Sequence, residues 1–439
     1  MTAVPLGRKV YVTTATGALG TDAAPVGGGV AVLEALLPHL GADPELDATV
    51  LRPGRRDRES VQGGVRLVDL ALPSLAGTPD DHLLHLSERA YARFALEWER
   101  RLQRFFETVP AAGSLVLAND VSEGPPFAEL ARRGFAQAVL YHVVVGDFFA
   151  RQYLSTPLGS VPAALASRVW RGVASLGLDR AAPAIARLVW AKEAAAAEHA
   201  HALVPSADLA RALRELYPES GVGGRTTICP WGVVGEPDPA LRAGRAEVLA
   251  ELGMAESRFV LLALSRLSRE KRIELLLDAL ARVEREAPET AARLALCVAG
   301  APAYMGGHAY AARLRRRAER LQHVQVVFPG YVPAPRKWSL FAAADLFCST
   351  SAYEAYGLTI AQALASGTPA LATDHQGARA ILDPRLGWIV APTPGALARA
   401  IGEALDGVSK REAAARWGAQ HPFAEAAASV LAVLRTVTA

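Results

Sequence analysis

The sequence predicts an α/β protein with two Rossmann-like domains, each built around a parallel β-sheet. The chain has 439 residues, which is more than one ordinary hydrophobic core accommodates. Short β-rich runs alternate with longer helical patterns along almost the whole chain, as in successive βα units. These runs form two series, and glycines and prolines cluster between the series at residues 220–237.

The strand predictions divide at this cluster. The first series comprises Lys9–Thr13, Ala48–Leu51, Ser114–Ala118, Ala138–His142 and Ala202–Pro205. The second series comprises Thr226–Cys229, Phe259–Leu264, Leu294–Val298, Gln325–Phe328, Leu346–Ser349, Ala370–Thr373 and Gly387–Val390. We therefore place the first domain at residues 1–225 and the second at 226–415, followed by a C-terminal helix at 416–439.

Composition narrows the class of protein. Apolar residues make up 51% and charged residues 21% of the chain, as in soluble globular proteins. No run approaches eighteen uncharged apolar residues, and residues 1–8 lack the apolar core of a signal peptide, so we expect a cytoplasmic protein without a transmembrane helix. The mild net charge of +3 and the absence of an aromatic-interleaved basic motif argue against nucleic-acid binding.

Two further compositional features concern the cysteines and the source. Cys229, Cys297 and Cys348 are odd in number and scattered, which argues against a disulfide framework or a zinc site and favours buried thiols. Abundant alanine and arginine beside scarce lysine are typical of a GC-rich bacterial genome.

Residues 147–199 interrupt the alternation, since their pattern is helical with no predicted strand. The segment contains Trp170 and Trp190 among several arginines. It could form ordinary amphipathic helices packed on the first domain. It could instead form an acceptor-site lid or a helix that contacts a membrane surface peripherally.

A glycine loop, Gly27-Gly28-Gly29, lies between the first predicted strand and a helical pattern at Val32–Leu40. Consecutive glycines let the backbone approach a ligand closely, and amides at a helix start attract phosphate or hydroxyl oxygens. The loop does not match the GxGxxG dinucleotide fingerprint, and a tight turn would explain it equally well.

Two cations, Arg266 and Lys271, follow the predicted strand Phe259–Leu264 and precede a helix at Ile273–Ala281. Open α/β sheets bind ligands at the carboxyl ends of their strands. Cations oppose the dipole of a helix start unless an anion is bound there. The pair therefore favours a diphosphate site, and a solvated basic helix start is the alternative.

A third cluster begins after the predicted strand Leu346–Ser349. Glu354 lies in a loop just before a helix that starts near Leu358. Its carboxylate could accept hydrogen bonds from sugar hydroxyls, and the amides of Gly357–Thr359 could face phosphate.

These clusters together resemble the retaining glycosyltransferases of family 4, with some similarity to the bacterial glycogen synthases of family 5. The matching blocks occur in a consistent order, which is more specific than any single block. They are Gly27–Gly29, Pro230-Trp231-Gly232-Val233, Ser265-Arg266-Leu267 with Lys271, Ala299-Gly300, Phe328-Pro329-Gly330-Tyr331-Val332, and Glu354 with Gly367-Thr368-Pro369. Most lie within 225–390.

The resemblance implies the GT-B fold, with two parallel sheets facing across a cleft, an N-terminal acceptor domain and a C-terminal nucleotide-sugar donor domain. It implies catalytic roles for Arg266 and Lys271 on the leaving diphosphate, Glu354 on the transferred sugar and His142 beside it. The implied donor contacts are Gly27, Gly28, Gly29, Tyr331, Val332, Tyr356, Gly357, Leu358, Thr359 and Gln362. The C-terminal helix would either cross back to the first domain or stay with the second.

The sequence departs from the family pattern at two positions. Gln362 stands where these enzymes commonly have a second glutamate that binds the ribose diol, so we expect a weaker ribose contact by ~1 kcal/mol. Gln376-Gly377 replaces the paired glycines of many relatives.

We therefore predict a retaining glycosyltransferase that moves a hexose-type sugar from a nucleotide-sugar donor to a hydroxyl acceptor. A UDP-sugar is favoured, with GDP- and ADP-sugars as alternatives. No Asp-x-Asp motif stands out, so we expect no metal. The alternatives are a non-catalytic nucleotide-sugar-binding or scaffold protein with a degenerate donor site, and a phosphorylase or epimerase of the same fold. The acceptor and the oligomeric state stay open.

Overall fold

The structure is a computed structural model that describes residues 7–15, 27–75, 88–148, 155–156, 159–160, 165, 168–169, 172–173, 184–237, 244–303 and 306–438. The chain divides into two compact units. The first comprises Met1–Trp231 together with Ala424–Ala439, and the second comprises Gly232–Phe423. The predicted domain limit at residue 225 lies before this division. The prediction that Thr226–Cys229 begins the second series of strands was wrong, because this strand joins the sheet of the first unit.

The first unit contains a mostly parallel sheet with the strand order β10-β9-β6-β5-β1-β2-β4-β3. Only its edge strand β3 runs antiparallel, against β4. The strands are β1 (Arg8–Thr13), β2 (Leu46–Gly54), β3 (Arg58–Gln62), β4 (Val65–Ala71), β5 (Ser114–Ala118), β6 (Ala136–Leu140), β9 (His201–Val204) and β10 (Thr226–Ile228). The helices are α1 (Gly28–Ala42), α2 (Glu88–Glu107), α3 (Phe127–Arg132), α4 (Ala184–His199) and α5 (Ala207–Leu216).

The core of the first unit forms where α2 packs against this sheet. Trp98 and Phe106 on α2 are fully buried, together with Leu51 of β2 and Val116 of β5. Phe106 also meets Tyr11 of β1 edge to face, with ring centroids 5.8 Å apart. Burial of large aromatic side chains on one helical face fixes α2 on the sheet.

The prediction of no strand within 147–199 was wrong. A two-stranded antiparallel hairpin joins β7 (Ser155–Thr156) and β8 (Gly159–Ser160). Strands of two residues are too short to show alternation in the sequence. Much of the segment, including Trp170, lies outside the described residues, whereas Trp190 lies on α4.

The second unit contains an entirely parallel sheet with the strand order β13-β12-β11-β14-β15-β16. The strands are β11 (Phe259–Leu264), β12 (Leu294–Ala299), β13 (Gln325–Gly330), β14 (Leu346–Ser349), β15 (Ala370–Thr373) and β16 (Gly387–Val390). The helices are α6 (Arg245–Glu251), α7 (Ile273–Glu286), α8 (Pro288–Ala292), α9 (Gly307–Ala318), α10 (Ala334–Ala343), α11 (Leu358–Ala365), α12 (Gln376–Ile381), α13 (Pro394–Asp406) and α14 (Arg411–Gln420).

The last helix, α15 (Phe423–Thr436), follows α14 after a break at His421–Pro422. A single C-terminal helix was predicted at 416–439, but a residue before proline is disfavoured in helical conformation. All but the first residue of α15 belong to the first unit. There Arg8 Nη1 donates to Leu434 O at 2.8 Å and Arg435 pairs with Asp43.

The described residues bear on two predictions, one about membrane-spanning helices and one about the cysteines. None of the helices described is both long and apolar enough to span a bilayer. Cys229, Cys297 and Cys348 are buried and free, and burial raises the pKa of each thiol.

Candidate functional site

The strand order of the second sheet creates a switch point between β11 and β14. These strands are parallel neighbours, with Leu261 opposite Leu346, although β12 and β13 intervene in sequence. Connections from β11 and β14 therefore leave in opposite directions along the sheet, and in open α/β sheets a crevice forms at the carboxyl ends of such strands. The loop after β11 carries Arg266 and Lys271, and the loop after β14 carries Glu354.

Lys271 and Glu354 meet in this crevice. Lys271 Nζ lies 2.6 Å from Glu354 Oε1, and both side chains are largely buried, at 11% and 22% exposure. Ser351 Oγ donates to the same carboxylate oxygen at 2.8 Å. The sequence predicted the two charged residues separately, and the structure brings them into direct contact.

The charge of Lys271 keeps Glu354 ionised. Burial by itself would raise the pKa of this carboxyl group. The neighbouring Lys271 charge, followed by His375 and the hydrogen bonds from Lys271 and Ser351, outweighs burial and holds the pKa below its usual value. Glu354 is therefore a carboxylate at neutral pH, in contact with the Lys271 side chain.

Hydrogen bonds to backbone carbonyl oxygens join the two loops beside this ion pair. Thr350 Oγ1 donates to Lys271 O at 2.8 Å, and Ala352 N donates to Glu270 O at 2.7 Å. Arg272 also reaches across, with Nη2 donating to Ser351 O at 2.8 Å. Neither Ser351 nor Arg272 was identified from the sequence, because each sits beside a stronger charge signal.

Arg266 occupies a different position from Lys271. Its guanidinium Nη2 lies 4.0 Å from Glu270 Oε1, and about a third of its side chain is exposed. Ser268 Oγ donates to the same Glu270 oxygen. Arg266 thus lies near Glu270 of its own loop, with its side chain partly accessible.

The start of α11 is shaped by two glycines. Gly357 precedes the helix with φ 87°, which glycine adopts without strain. Gly377 lies against it, and a Cβ at that position would come within 2.7 Å of the Tyr356 carbonyl carbon. Gly377 N also donates to Glu354 O at 2.8 Å. The predicted Leu358 and Thr359 amides occupy the first helical turn, where they have no intrahelical acceptor.

His375 supports this region and was not predicted. Its Nδ1 accepts from Ala378 N at 3.0 Å, and its Nε2 lies 3.2 Å from Ser349 Oγ. An accepting Nδ1 requires Nε2 to carry the proton of a neutral ring. Burial lowers the pKa of His375 to about 4, although Glu354 acts in the opposite direction.

Two predicted donor contacts turn their side chains into the protein. The Tyr356 hydroxyl accepts from Gly232 N at 2.9 Å, and burial raises the pKa of this group to about 12. Gln362 is buried, and its Nε2 donates to Val234 O at 2.7 Å. Tyr331 and Val332 follow β13, and the Tyr331 side chain is about half exposed.

A second group of predicted residues lies in the first unit. Gly29 lies so close to His142 that a Cβ would come within 2.6 Å of the ring. His142 Nε2 is 3.0 Å from Asn119 Oδ1, and Asp120 Oδ2 accepts from Ala15 N at 3.0 Å. Asn119 and Asp120 follow β5, which lies beside β1. They were not predicted, although short polar residues directly after a buried strand are a recognisable sequence signal.

The His142 ring is neutral at physiological pH. Burial lowers its pKa to about 4, against the effect of the Asp120 charge. Within the described ranges, no group of three or more His, Cys, Asp or Glu side chains is arranged to hold a metal ion.

Sequence comparison finds similarity within the second unit. Residues 245–421 match the family described as Glycosyl transferases group 1. Mannosylfructose-phosphate synthase from Agrobacterium fabrum is 38% identical over 119 residues, which cover 27% of this chain and 26% of that protein. D-inositol 3-phosphate glycosyltransferase from Streptomyces scabiei is 34% identical over 166 residues, which cover 37% of each chain. These alignments span well under half of the relatives' lengths.

Solved structures extend the similarity to the whole fold. Sucrose-phosphate synthase from Thermosynechococcus elongatus superposes with a TM-score of 0.70 at 18% identity, covering 98% of both chains. Anabaena HepE, solved in complex with UDP and glucose, superposes with a TM-score of 0.62 at 18% identity, covering 98% of this chain and 100% of that one. The fold is therefore that of the GT-B glycosyltransferases.

Proposed function

We propose that this chain is a retaining glycosyltransferase that moves a hexose-type sugar from a nucleotide-sugar donor to a hydroxyl acceptor, without a metal ion. The observation that carries the proposal is the Lys271–Glu354 ion pair at the switch point of the second sheet, 2.6 Å long and mostly buried. One crevice thus offers a cation for phosphate and a carboxylate for sugar hydroxyls. The domain that contains it matches glycosyltransferases in sequence.

Lys271 and Arg266 would neutralise the donor diphosphate. A cation ~4 Å from a phosphate oxygen is worth about 4 kcal/mol at an effective dielectric near 20, before desolvation. Lys271 is already held in the crevice, while Arg266 would leave Glu270 for the stronger phosphate charge. Two cations placed in this way would supply the charge neutralisation that other transferases obtain from a divalent ion.

Glu354 and the start of α11 would hold the transferred sugar. The ionised carboxylate accepts hydrogen bonds from hydroxyl groups, and the amides of Gly357, Leu358 and Thr359 would donate to sugar or phosphate oxygens. Tyr331 and Val332 would lie beside the nucleotide base. Because their side chains are engaged elsewhere, Tyr356 would contribute through its backbone and Gln362 would contact ribose only after leaving Val234.

The reaction would retain the configuration of the sugar. The acceptor oxygen would attack the anomeric carbon from the face that the diphosphate leaves, and a diphosphate oxygen would take the acceptor proton. The anomeric carbon–oxygen bond to phosphate breaks as the new glycosidic bond forms. The protein then contributes positioning and stabilisation of the leaving charge. In the first unit, neutral His142 and the start of α1 at Gly27–Gly29 would bind a sugar hydroxyl.

A UDP-hexose is the donor that we favour, because the similarly folded HepE was solved with UDP and glucose. The acceptor is a hydroxyl compound that the first unit would bind. The alternative is a nucleotide-sugar-binding protein without activity, which the anchoring of Gln362 on Val234 favours. Slow donor hydrolysis in the absence of acceptor would distinguish the enzyme from the binding protein.

The experiment begins with a thermal-shift screen of UDP-, GDP- and ADP-hexoses. A donor at ~100 times its dissociation constant should stabilise the chain by about 2.7 kcal/mol. Turnover of the best donor is then compared between the natural chain and the Lys271→Ala, Arg266→Ala and Arg269→Ala variants. We expect the first two to lose turnover by ~10²-fold or more with the fold intact. Arg269 is an exposed cation of the same loop and serves as the matched control.

Near-natural turnover in both Lys271→Ala and Arg266→Ala would contradict the proposed roles of these residues on the diphosphate. No stabilisation by any nucleotide sugar, and no release of nucleotide from one, would contradict the proposed function itself.

A further inference from the structure

Arg272 has a backbone conformation that does not suit an arginine. Its φ of 45° and ψ of 39° lie in the left-handed region, and among the described residues no other non-glycine residue has a positive φ. Glycine adopts this conformation freely and asparagine tolerates it, whereas a long side chain is strained there. Strained residues of this kind persist where surrounding contacts over-determine them.

Helix capping does not explain the residue. Arg272 stands at the N-cap of α7, but its side chain makes no capping hydrogen bond. Serine, threonine, aspartate and asparagine are the usual residues at this place, and a cation is unfavourable beside the positive end of a helix dipole. A glycine or asparagine at this position would strain the backbone less, and an asparagine would also cap the helix.

The side chain of Arg272 instead binds the opposite loop. Its Nε donates to Thr350 O at 3.2 Å and its Nη2 donates to Ser351 O at 2.8 Å. A planar guanidinium fork can serve two adjacent carbonyls, which an ammonium group cannot reproduce. Thr350 returns a hydrogen bond from its hydroxyl to Lys271 O at 2.8 Å.

These contacts lie directly beside both members of the Lys271–Glu354 ion pair. Lys271 directly precedes Arg272 in the chain, and Ser351 both accepts from Arg272 and donates to Glu354. Any shift of one loop past the other would therefore separate the Lys271 ammonium from the Glu354 carboxylate.

We propose that Arg272 is a positioning residue: its guanidinium holds the loop of Lys271 against the loop of Glu354, so that cation and carboxylate are set for the donor. The role in catalysis rests on the proposed function, whereas the effect on the Lys271–Glu354 contact does not. The strained backbone is retained because only a guanidinium at this place reaches both carbonyls.

The test uses Arg272→Gly, which removes the fork and at the same time relieves the backbone. Arg272→Asn is the second variant, since asparagine also tolerates the left-handed region. Arg269→Ala removes a neighbouring exposed guanidinium and is the control. We expect kcat with the best nucleotide sugar to fall ~10²-fold in both Arg272 variants, with a smaller change in donor KM and an unchanged control. Free guanidinium at low millimolar concentration should restore part of the lost kcat in Arg272→Gly.

Crystal structures of the natural chain and of Arg272→Gly provide a readout that is independent of activity. We expect the Lys271–Glu354 contact to be lost or doubled in length in the variant. Retention of that contact together with natural kcat in Arg272→Gly or Arg272→Asn would overturn the proposal. If the natural chain transfers no sugar but the variant still loses the contact, the proposed function fails and the positioning role stands.

Discussion

His375 links the crevice to pH through a buried ring that stays neutral. Burial lowers its pKa to about 4, below the ordinary 6.5, even though Glu354 raises it. Between these values the unfolded chain binds a proton that the folded chain does not. Stability from this residue is therefore complete above pH 6.5 and is lost as the pH falls toward 4.

We expect this residue to make the natural chain about 2 kcal/mol less stable at pH 5 than at pH 7. His375→Asn keeps a side-chain acceptor for Ala378 N and removes the titrating group. Urea unfolding at both pH values should show a shallower pH dependence in the variant. Identical pH dependence in the two proteins would show that His375 does not titrate in this window.

Gln362 provides a second test at the residue scale. Its amide donates to Val234 O in a buried setting, so Gln362→Glu would place a carboxylate oxygen against a carbonyl oxygen. We expect a loss of about 1–3 kcal/mol in the free energy of unfolding, measured in urea at pH 8. Gln362→Met, of similar shape, is the control and should lose less because it buries no charge. A fully stable Gln362→Glu chain would show that this side chain moves freely to another partner.

The sequence predicts part of the candidate site. Arg266, Lys271 and Glu354 stand out because cations and a carboxylate at strand ends are unusual, and their roles stay predictions. The contact between Lys271 and Glu354, 83 positions apart, could not, because it depends on β14 lying beside β11. Alternation of strands and helices indicates a parallel sheet but leaves the order of its strands open.

At the scale of the elements, the Gly357–Gly377 approach sets the start of α11. An alanine at position 377 would place Cβ 2.8 Å from Gly357 N and closer still to Tyr356 backbone, so the loop must shift. We expect Gly377→Ala to cost ~1–3 kcal/mol in stability and to weaken nucleotide binding.

Thermal unfolding with and without nucleotide measures both effects of Gly377→Ala. Gly402→Ala on α13 is the matched control, because its Cβ would meet no atom within 4 Å. That change should stabilise the chain by ~0.5–1 kcal/mol. Equal stability and equal nucleotide binding in the two variants would argue against the importance of the close approach.

Strand prediction succeeded where hydrophobic signal is strong. Each predicted strand overlaps a strand of the structure, whereas β3, β4 and the two-residue strands β7 and β8 were missed. The residues of β3 are mostly exposed and polar, so they carry no burial pattern. β4 does not alternate strictly, because the neighbouring residues Leu67 and Val68 are both buried, as are Val65 and Leu70.

At the scale of the whole molecule, the two units differ in how closely they follow known proteins. The family match covers 245–421, inside the second unit, whereas the structure of sucrose-phosphate synthase superposes over 98% of the chain. The proposed donor residues Arg266, Lys271 and Glu354 lie within the range of the family match. The assignment of α15 to the first unit could not be predicted from its sequence, because an apolar helical face packs equally well on either domain.

A donor site at the ends of β11 and β14 is tested most directly by calorimetric titration of UDP. UDP is titrated into the natural chain, Lys271→Ala and the Arg269→Ala control. A charged hydrogen bond to phosphate is worth ~1.5–3 kcal/mol, so Lys271→Ala should weaken UDP binding by about tenfold or more. The control should bind as the natural chain does. Equal affinity of Lys271→Ala and the natural chain for UDP would contradict a donor site at the crevice between β11 and β14.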